Sequence, residues 1–250
     1  MRYRFLRFPD GKPKAFTMSY DDGVRQDIRL AEICTKYGVK CTFNLNSGMI
    51  HPEPGHRRLA ADEIREHLLG AGHEIAVHGF NHQAPGAARP IDTMQEVLKD
   101  RLGLEKEFGG IVRGMAYPDS GITKIHPGTS YETIRQILQD LGIVYSRSLG
   151  GDNDKFLLPE DWYNWLPTAH HNNPKVLDFA EKFAAFDYAK LYSAGRHPRL
   201  FYLWGHSYEF DVERNWQNIE NFCKKIAGRD DVWYCTNGEF VLWMKENGLI

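Results

Sequence analysis

Several signals that would fix the class of this 250-residue chain at once are missing from it. No stretch approaches the roughly 20 consecutive apolar residues of a membrane span. The N-terminal segment 1–9 alternates basic and apolar residues, where a signal peptide has a continuous apolar run. The expectation is a soluble, cytoplasmic protein with no membrane partner. An excess of charge of one sign is also absent: 31 Lys and Arg stand against 33 Asp and Glu, a net charge of −2. That balance gives no electrostatic case for nucleic acid or anionic lipid as a partner. Cysteine is scarce, and Cys34, Cys41, Cys223 and Cys235 form no Cys-x-x-Cys pair, so they read as buried free thiols. No internal repeat, low-complexity tract or linker interrupts the chain. Aromatic residues are abundant, with 6 Trp, 12 Tyr and 14 Phe, the material of a core or of a sugar-binding groove.

The local patterns alternate. Segments 15–20, 39–46, 73–79, 111–117, 142–147, 200–206 and 232–236 suit strands, and a further extended stretch covers 162–168. Segments 24–37, 61–69, 92–108, 131–141, 175–192, 214–226 and 237–246 suit helices, with Gly38 and Gly109-Gly110 as stops and Asn237 as cap of the last. Strand–helix units repeated about seven times, with no block of consecutive strands, argue for a parallel sheet covered by helices. The chain is long enough for one full core, and a single domain over 1–250 is expected. A closed or nearly closed barrel is the first reading and an open doubly wound sheet the second.

The polar clusters fall just after strands: Asp21-Asp22, His78 to His82, Tyr117 to Gly121, and Gly205-His206. In a (β/α) barrel these points converge on one face. Adjacent carboxylates at a strand exit raise each other's pKa unless a metal ion or a basic side chain lies between them. Taken alone, Asp-Asp-Gly supports a helix N-cap by Asp22, with Asp21 solvated, better than any catalytic reading. His78 and His82, four residues apart, project to one side if the chain turns helically after the strand. One His-x-x-x-His pair among 11 histidines is weak by itself. For His51 and His73 the structural reading, a ring bonded to backbone, is preferred. Two histidines and a carboxylate with open positions describe a site for Zn²⁺, with Co²⁺ or Ni²⁺ as alternatives.

The order Ser19-Tyr-Asp-Asp-Gly23, His78-x-x-x-His82, a Tyr-Pro motif, Asp161-Trp162 and a strand ending in His206 resembles the polysaccharide deacetylases. These are carbohydrate esterase family four, the chitooligosaccharide deacetylase homology domain. The resemblance implies an α/β fold, a distorted, incomplete (β/α)₇ TIM-like barrel, and metal-dependent removal of an acetyl group from a saccharide. Carried over by position, Asp21 is the general base and Asp22, His78 and His82 hold the metal. His206 is the acid for the leaving amine, and Asp161 tunes it. Tyr117 lies where a backbone N–H assists the oxyanion, Pro118 beside it contacts substrate, Leu203 and Trp204 wall the acetyl methyl, and Trp162 lines the groove. The alternatives for Asp161 and Trp162 are a surface acid and a core indole.

The third motif departs from the family. Where relatives read Arg-Pro-Pro-Tyr-Gly, this chain has Ala116-Tyr117-Pro118-Asp119-Ser120, so the arginine that steadies the base is absent. Arg113 points to the other face of its strand. Either another cation replaces it, or Asp21 is held less firmly. His170-His171 are a solvated pair or a substrate-contacting rim, and Glu209 is a helix-start acid or a partner of His206. An acetylated amino sugar is the leading substrate. An O-acetyl ester, a non-sugar amide, or a carbohydrate-binding relative without turnover are the alternatives.

Overall fold

A computed structural model describes residues 5–151, 154–188 and 196–250. The first strand, β1 (Lys14–Asp21), is buried at every position, which marks it as a central strand of a parallel sheet covered on both faces. Its period-2 alternation sorts the side chains. Phe16, Met18 and Tyr20 enter one apolar cluster and Ala15 enters another on the opposite side.

Helices and strands then alternate: α1 (Gln26–Tyr37), β2 (Thr42–Leu45), α2 (Ala61–Glu63), β3 (Glu74–Val77), α3 (Pro90–Phe108), β4 (Gly114–Ala116), α4 (Tyr131–Asp140) and β5 (Tyr145–Arg147). The second half adds β6 (Ala169–His170), α5 (Val176–Ala184), β7 (Arg199–Gly205), α6 (Glu209–Val212), α7 (Trp216–Ile226), β8 (Val232–Tyr234) and α8 (Asn237–Glu246). The strands run parallel in the order β5-β4-β3-β2-β1-β7-β6, and β8 pairs with the start of β1. Trp165 bridges to Arg147 on one edge, while Ala169 and His170 pair with Leu203 and Trp204 on the other. The stretch from Trp165 to His170 therefore spans the two edges of the curled sheet. This is the distorted, incomplete (β/α)₇ barrel that the sequence implies.

Two cores result. Between sheet and helices lie Phe16, Phe43, Val77, Phe201 and Leu203 against Leu30, Val97 and Phe222. The face enclosed by the curl holds Tyr145, Trp165, Tyr202 and Trp204, with Phe240 and Met244 of α8 packed into the same cluster. Several polar side chains on that inner face are paired. Thr42 Oγ1 donates to Glu74 Oε2 at 2.7 Å, and Tyr145 donates to Glu74 Oε1 at 3.2 Å. Thr17 donates to Asn237 Oδ1 at 2.8 Å, and Asn237 Nδ2 donates to Tyr202 Oη at 2.6 Å. Such pairing removes the penalty of burying polar groups.

Four local expectations are corrected. Asn237 is not the cap of α8: Thr236 caps it through a reciprocal capping box with Glu239, and Asn237 is committed to the inner network. Helix 61–69 is α-helical only to Glu63, with wider π-type turns over Ile64–Leu69. Of the expected helix 175–192, Val176–Ala184 forms, and 189–192 lie outside the described residues. Nor does Asp22 cap α1, because the Val24 amide donates to Asp27 Oδ2. The four cysteines are buried and free. No helix among the described residues is long and apolar enough to cross a membrane.

Phe201 is fully buried and meets the rings of Phe16, Phe156, Phe183 and Phe222. Phe201→Ala is expected to cost about 3–5 kcal/mol. Urea unfolding with an unchanged m-value checks this, and a loss below about 1 kcal/mol contradicts the packing described.

Candidate metal centre

The site forms at the C-terminal ends of β1, β3, β5 and β7. Alternation along β1 turns Asp21 to the inner face, where it is 2% exposed. Its Oδ1 accepts from Asn44 Nδ2 of β2 at 2.8 Å, and its Oδ2 is paired with Arg147 Nη2 of β5. Arg147 is completely buried, and its guanidinium lies 4.3 Å from the Trp204 ring centroid. Burial alone would push the Asp21 carboxyl up. The positive charge of Arg147, with smaller contributions from His78, His206 and the Asn44 hydrogen bond, holds it below the ordinary carboxylate range. Arg147 thus fills the place of the missing third-motif arginine from the next strand of the sheet. Arg113 is occupied elsewhere, 2.7 Å from Glu105 Oε1.

Asp22 leaves the strand with φ 88°, a left-handed conformation that an L side chain adopts only under constraint. Arg58 supplies that constraint by donating to the Asp22 carbonyl and standing 3.6 Å from its Oδ1. His82, also left-handed at φ 61°, places Nε2 3.4 Å from Asp22 Oδ1.

His78 is buried, and its Nδ1–H donates to the Ala116 carbonyl at 2.9 Å. That bond fixes the tautomer and leaves the Nε2 lone pair free. Burial lowers the pKa of His78 and keeps the ring neutral, the form that ligates metals. The loop between the two histidines is held from below. Asp100 of α3 accepts from the His78 amide at 2.9 Å, and Glu96, one turn earlier, accepts from the Asn81 amide at 2.7 Å. Asn46 Nδ2 donates to the carbonyls of His78 and Gly79 at 2.7 Å each.

One oxygen of Asp22 and one nitrogen each of His78 and His82 lie within 4.8 Å of one another. Asp22 Oδ1 and His78 Nε2 are buried without a hydrogen-bond partner. Unpartnered buried acceptors facing one point are costly unless a cation meets them. An Asp–His–His donor set fits a divalent ion such as Zn²⁺. The residues therefore fit the group that the sequence implies.

The structure brings His206 to the same place: its Nε2 is 3.9 Å from Asp21 Oδ2, and its Nδ1 is 3.1 Å from Glu209 Oε1. Burial lowers the pKa of His206, but the Glu209 hydrogen bond and the charges of Asp21 and Asp22 outweigh it, so the net shift is upward.

Other expected residues lie elsewhere. Asp161 accepts from Tyr131 and from the Tyr163 amide and stands 3.9 Å from Arg135, so it is engaged away from His206. Trp162 is a core indole, packed on Trp165 and Phe240 rather than lining a groove. The Tyr117 amide is spent on the Arg147 carbonyl at 2.9 Å, and its hydroxyl donates to the Tyr163 carbonyl, so it has no N–H to offer an oxyanion. Pro118 is buried, and its Cγ lies 3.5 Å from where a Cβ on Gly79 would stand. Leu203 faces the helix layer with Phe210 and Phe222, because strand alternation gives the inner side to Trp204.

Arg147, Asn44 and Arg58 were not assigned by position, and Glu209 stood as one of two open readings. A signal existed for Arg147, since it ends a strand on the same side as the buried Tyr145, two residues earlier.

The family model for polysaccharide deacetylases matches residues 9–146, more than half of the chain, and the protein belongs to that family. No curated protein matches it. Among solved structures it is similar to a Mycobacterium smegmatis protein proposed as a polysaccharide deacetylase, with 16% identity, 98% of this chain and 94% of that one covered, and a TM-score of 0.65. PuuE allantoinase gives 14% identity, coverage of 99% and 95%, and a TM-score of 0.65. A family 4 acetyl xylan esterase from Clostridium thermocellum, solved with a cobalt ion, gives 15% identity, coverage of 94% and 93%, and a TM-score of 0.55. At these identities the likeness is one of fold.

Replacing Arg147 with Met leaves Asp21 buried without its cation. The Asp21 pKa is depressed, so its stabilising contribution exists above the unfolded carboxylate pKa and fades as pH falls through the folded one. Arg147→Met is expected to destabilise the protein by about 3–5 kcal/mol at neutral pH. It should also move the acid limb of the pH–rate profile upward. Urea melts and a pH–rate series check both, and an unmoved acid limb would contradict the Asp21–Arg147 pairing.

Proposed function

We propose that this protein is a metal-dependent hydrolase that removes an acetyl group from an N-acetylated sugar or oligosaccharide. The observation that carries this reading is the adjacency of two different carboxylates. Asp22 belongs with His78 and His82 in a compact donor set, while Asp21 beside it is held ionised by Arg147 and faces His206. Asp22, His78 and His82 hold the divalent ion, Zn²⁺ or a similar one such as Co²⁺ or Ni²⁺. Such an ion supplies Lewis-acid polarisation of the acyl carbonyl and lowers the pKa of a coordinated water.

The remaining roles fall to the chain itself. Asp21 is unprotonated at neutral pH, and as general base it takes a proton from the attacking water. Arg147 and Asn44 keep its two oxygens in place while that proton arrives. His206, with its pKa raised, protonates the departing nitrogen from Nε2. Trp204 and His170, with ring centroids 4.7 Å apart, form the rim beside His206. Trp162, packed on Trp165 and Phe240, supplies no aromatic platform beside it.

That last point favours keeping a second reading, hydrolysis of a non-sugar amide at the same centre. The chain lacks both the family's third motif and a groove-lining Trp162, and an allantoinase shares its fold over nearly the whole length.

Acetate release from defined N-acetyl and O-acetyl saccharides, alongside small linear and cyclic amides, separates the readings. The expected result is chelator-sensitive acetate release from an N-acetyl saccharide. Asp21→Asn should keep one equivalent of metal and lose about 10²–10⁴-fold in turnover. His78→Ala should lose metal and turnover together. Equal metal loss in both variants would contradict the division of roles, and chelator-resistant turnover would contradict the metal.

A further inference from the structure

We propose that Glu209 is the positioning residue for His206, the part that family resemblance gives to Asp161. The proposal rests on the hydrolase reading above and adds a residue to it. His206 and Glu209 are three positions apart at the start of α6, and the Glu209 amide donates back to the His206 carbonyl at 3.1 Å. The carboxylate is engaged at both oxygens. Oε1 takes the Nδ1–H of His206 at 3.1 Å. Oε2 lies 3.0 Å from His171 Nε2, 3.3 Å from His170 Nε2, and 3.2 Å from its donor Asn172 Nδ2. Three imidazoles and an amide thus converge on one half-buried carboxylate. Burial pushes its pKa up, but the His171 imidazole 3.0 Å away, the His206 hydrogen bond and the nearby His170 hold it far below the ordinary range.

The neighbouring geometry explains why this carboxylate is rigid. The His171 ring is sandwiched between Tyr20 and Phe210, with centroids at 5.5 Å and 4.2 Å. Its Nδ1 would lie 1.9 Å from a Cβ on Gly205, so only glycine fits at that point of β7. On the other side, the Asn172 amide donates to His170 Nδ1 at 3.2 Å. A neutral His170 therefore carries its proton on Nε2, aimed at Glu209.

The consequence for His206 is directional. With Nδ1–H committed to Glu209, Nε2 is the nitrogen that looks toward Asp21, and the proton to be delivered sits there. The charged or titratable groups facing His206 are Asp21 and Asp22 from β1 and its turn, His170 from β6, and Tyr208 and Glu209 from its own loop.

His170, His171 and Glu209 are also compact enough to hold an ion. The His170 tautomer argues against that use, because an ion between them needs a bare Nε2, and Asn172 enforces a protonated one.

The test compares wild type with Glu209→Gln, Glu209→Asp and Asp161→Asn. In Glu209→Gln, kcat for acetate release should fall about 10–100-fold, while KM stays within about twofold. Imidazole ¹⁵N spectra should show His206 protonated at Nδ1 in wild type and that preference lost in Glu209→Gln. Glu209→Asp should restore part of both signals, and Asp161→Asn should leave both unchanged. Zn²⁺ titration should give one equivalent in wild type and in Glu209→Gln. The proposal is overturned if Glu209→Gln keeps wild-type kcat with the His206 signal intact, or if Asp161→Asn reproduces the Glu209→Gln losses. A second Zn²⁺ equivalent lost in Glu209→Gln overturns it too, and assigns the cluster to metal. If wild type releases acetate from no substrate, the hydrolase reading fails, and the ¹⁵N spectra still decide whether Glu209 orients His206.

Discussion

Everything at this site follows from having to keep two adjacent carboxylates apart at the end of a buried strand. Like charges at that spacing in a low-dielectric interior cannot both stay ionised without cations. The fold gives each its own. Strand alternation sends Asp21 inward to Arg147, while the left-handed turn at Asp22 redirects the second carboxylate toward His82 and Arg58. One carboxylate becomes a fixed, ionised acceptor, and the other remains open on the side where His78 presents a free nitrogen.

The scaffold around that division spends polar groups on backbone. Asp100, Glu96 and Asn46 all bind main-chain groups of the loop from His78 to His82. A residue at positive φ such as His82 persists only where its surroundings over-determine it. Charged side chains one turn apart on α3 meet that need, because residues i and i+4 share a helix face. The same logic holds on β7, where Gly205 admits the His171 ring against the backbone.

The parallel barrel was legible because seven strands announced themselves by alternation and their exits carried the polar residues. Asp21, Asp22, His78, His82 and His206 were legible for the same reason, each lying at or just past a strand end. What was not legible depends on which strands curl toward each other. Arg147 is 126 residues from Asp21, and only the sheet order makes them partners. Asp161, Trp162, Tyr117 and Leu203 are engaged in contacts other than those their motif positions imply, and the stretch around 160 serves here as core and edge. Strand parity alone would have turned Leu203 away from the site once Trp204 was placed in it. Membership of the polysaccharide deacetylase family is carried by residues 9–146, while His206 and Glu209 lie beyond that match.

The central claim is that Asp22, His78 and His82 share one ion while Asp21 does not. Crystals equilibrated with Co²⁺ and measured at the cobalt absorption edge test it directly. The account predicts a single anomalous peak at about 2.0–2.2 Å from Asp22 oxygen and from Nε2 of His78 and His82, with Asp21 still paired to Arg147. A peak ligated by Asp21, a peak on His170, His171 and Glu209, or no peak at saturating cobalt would contradict it.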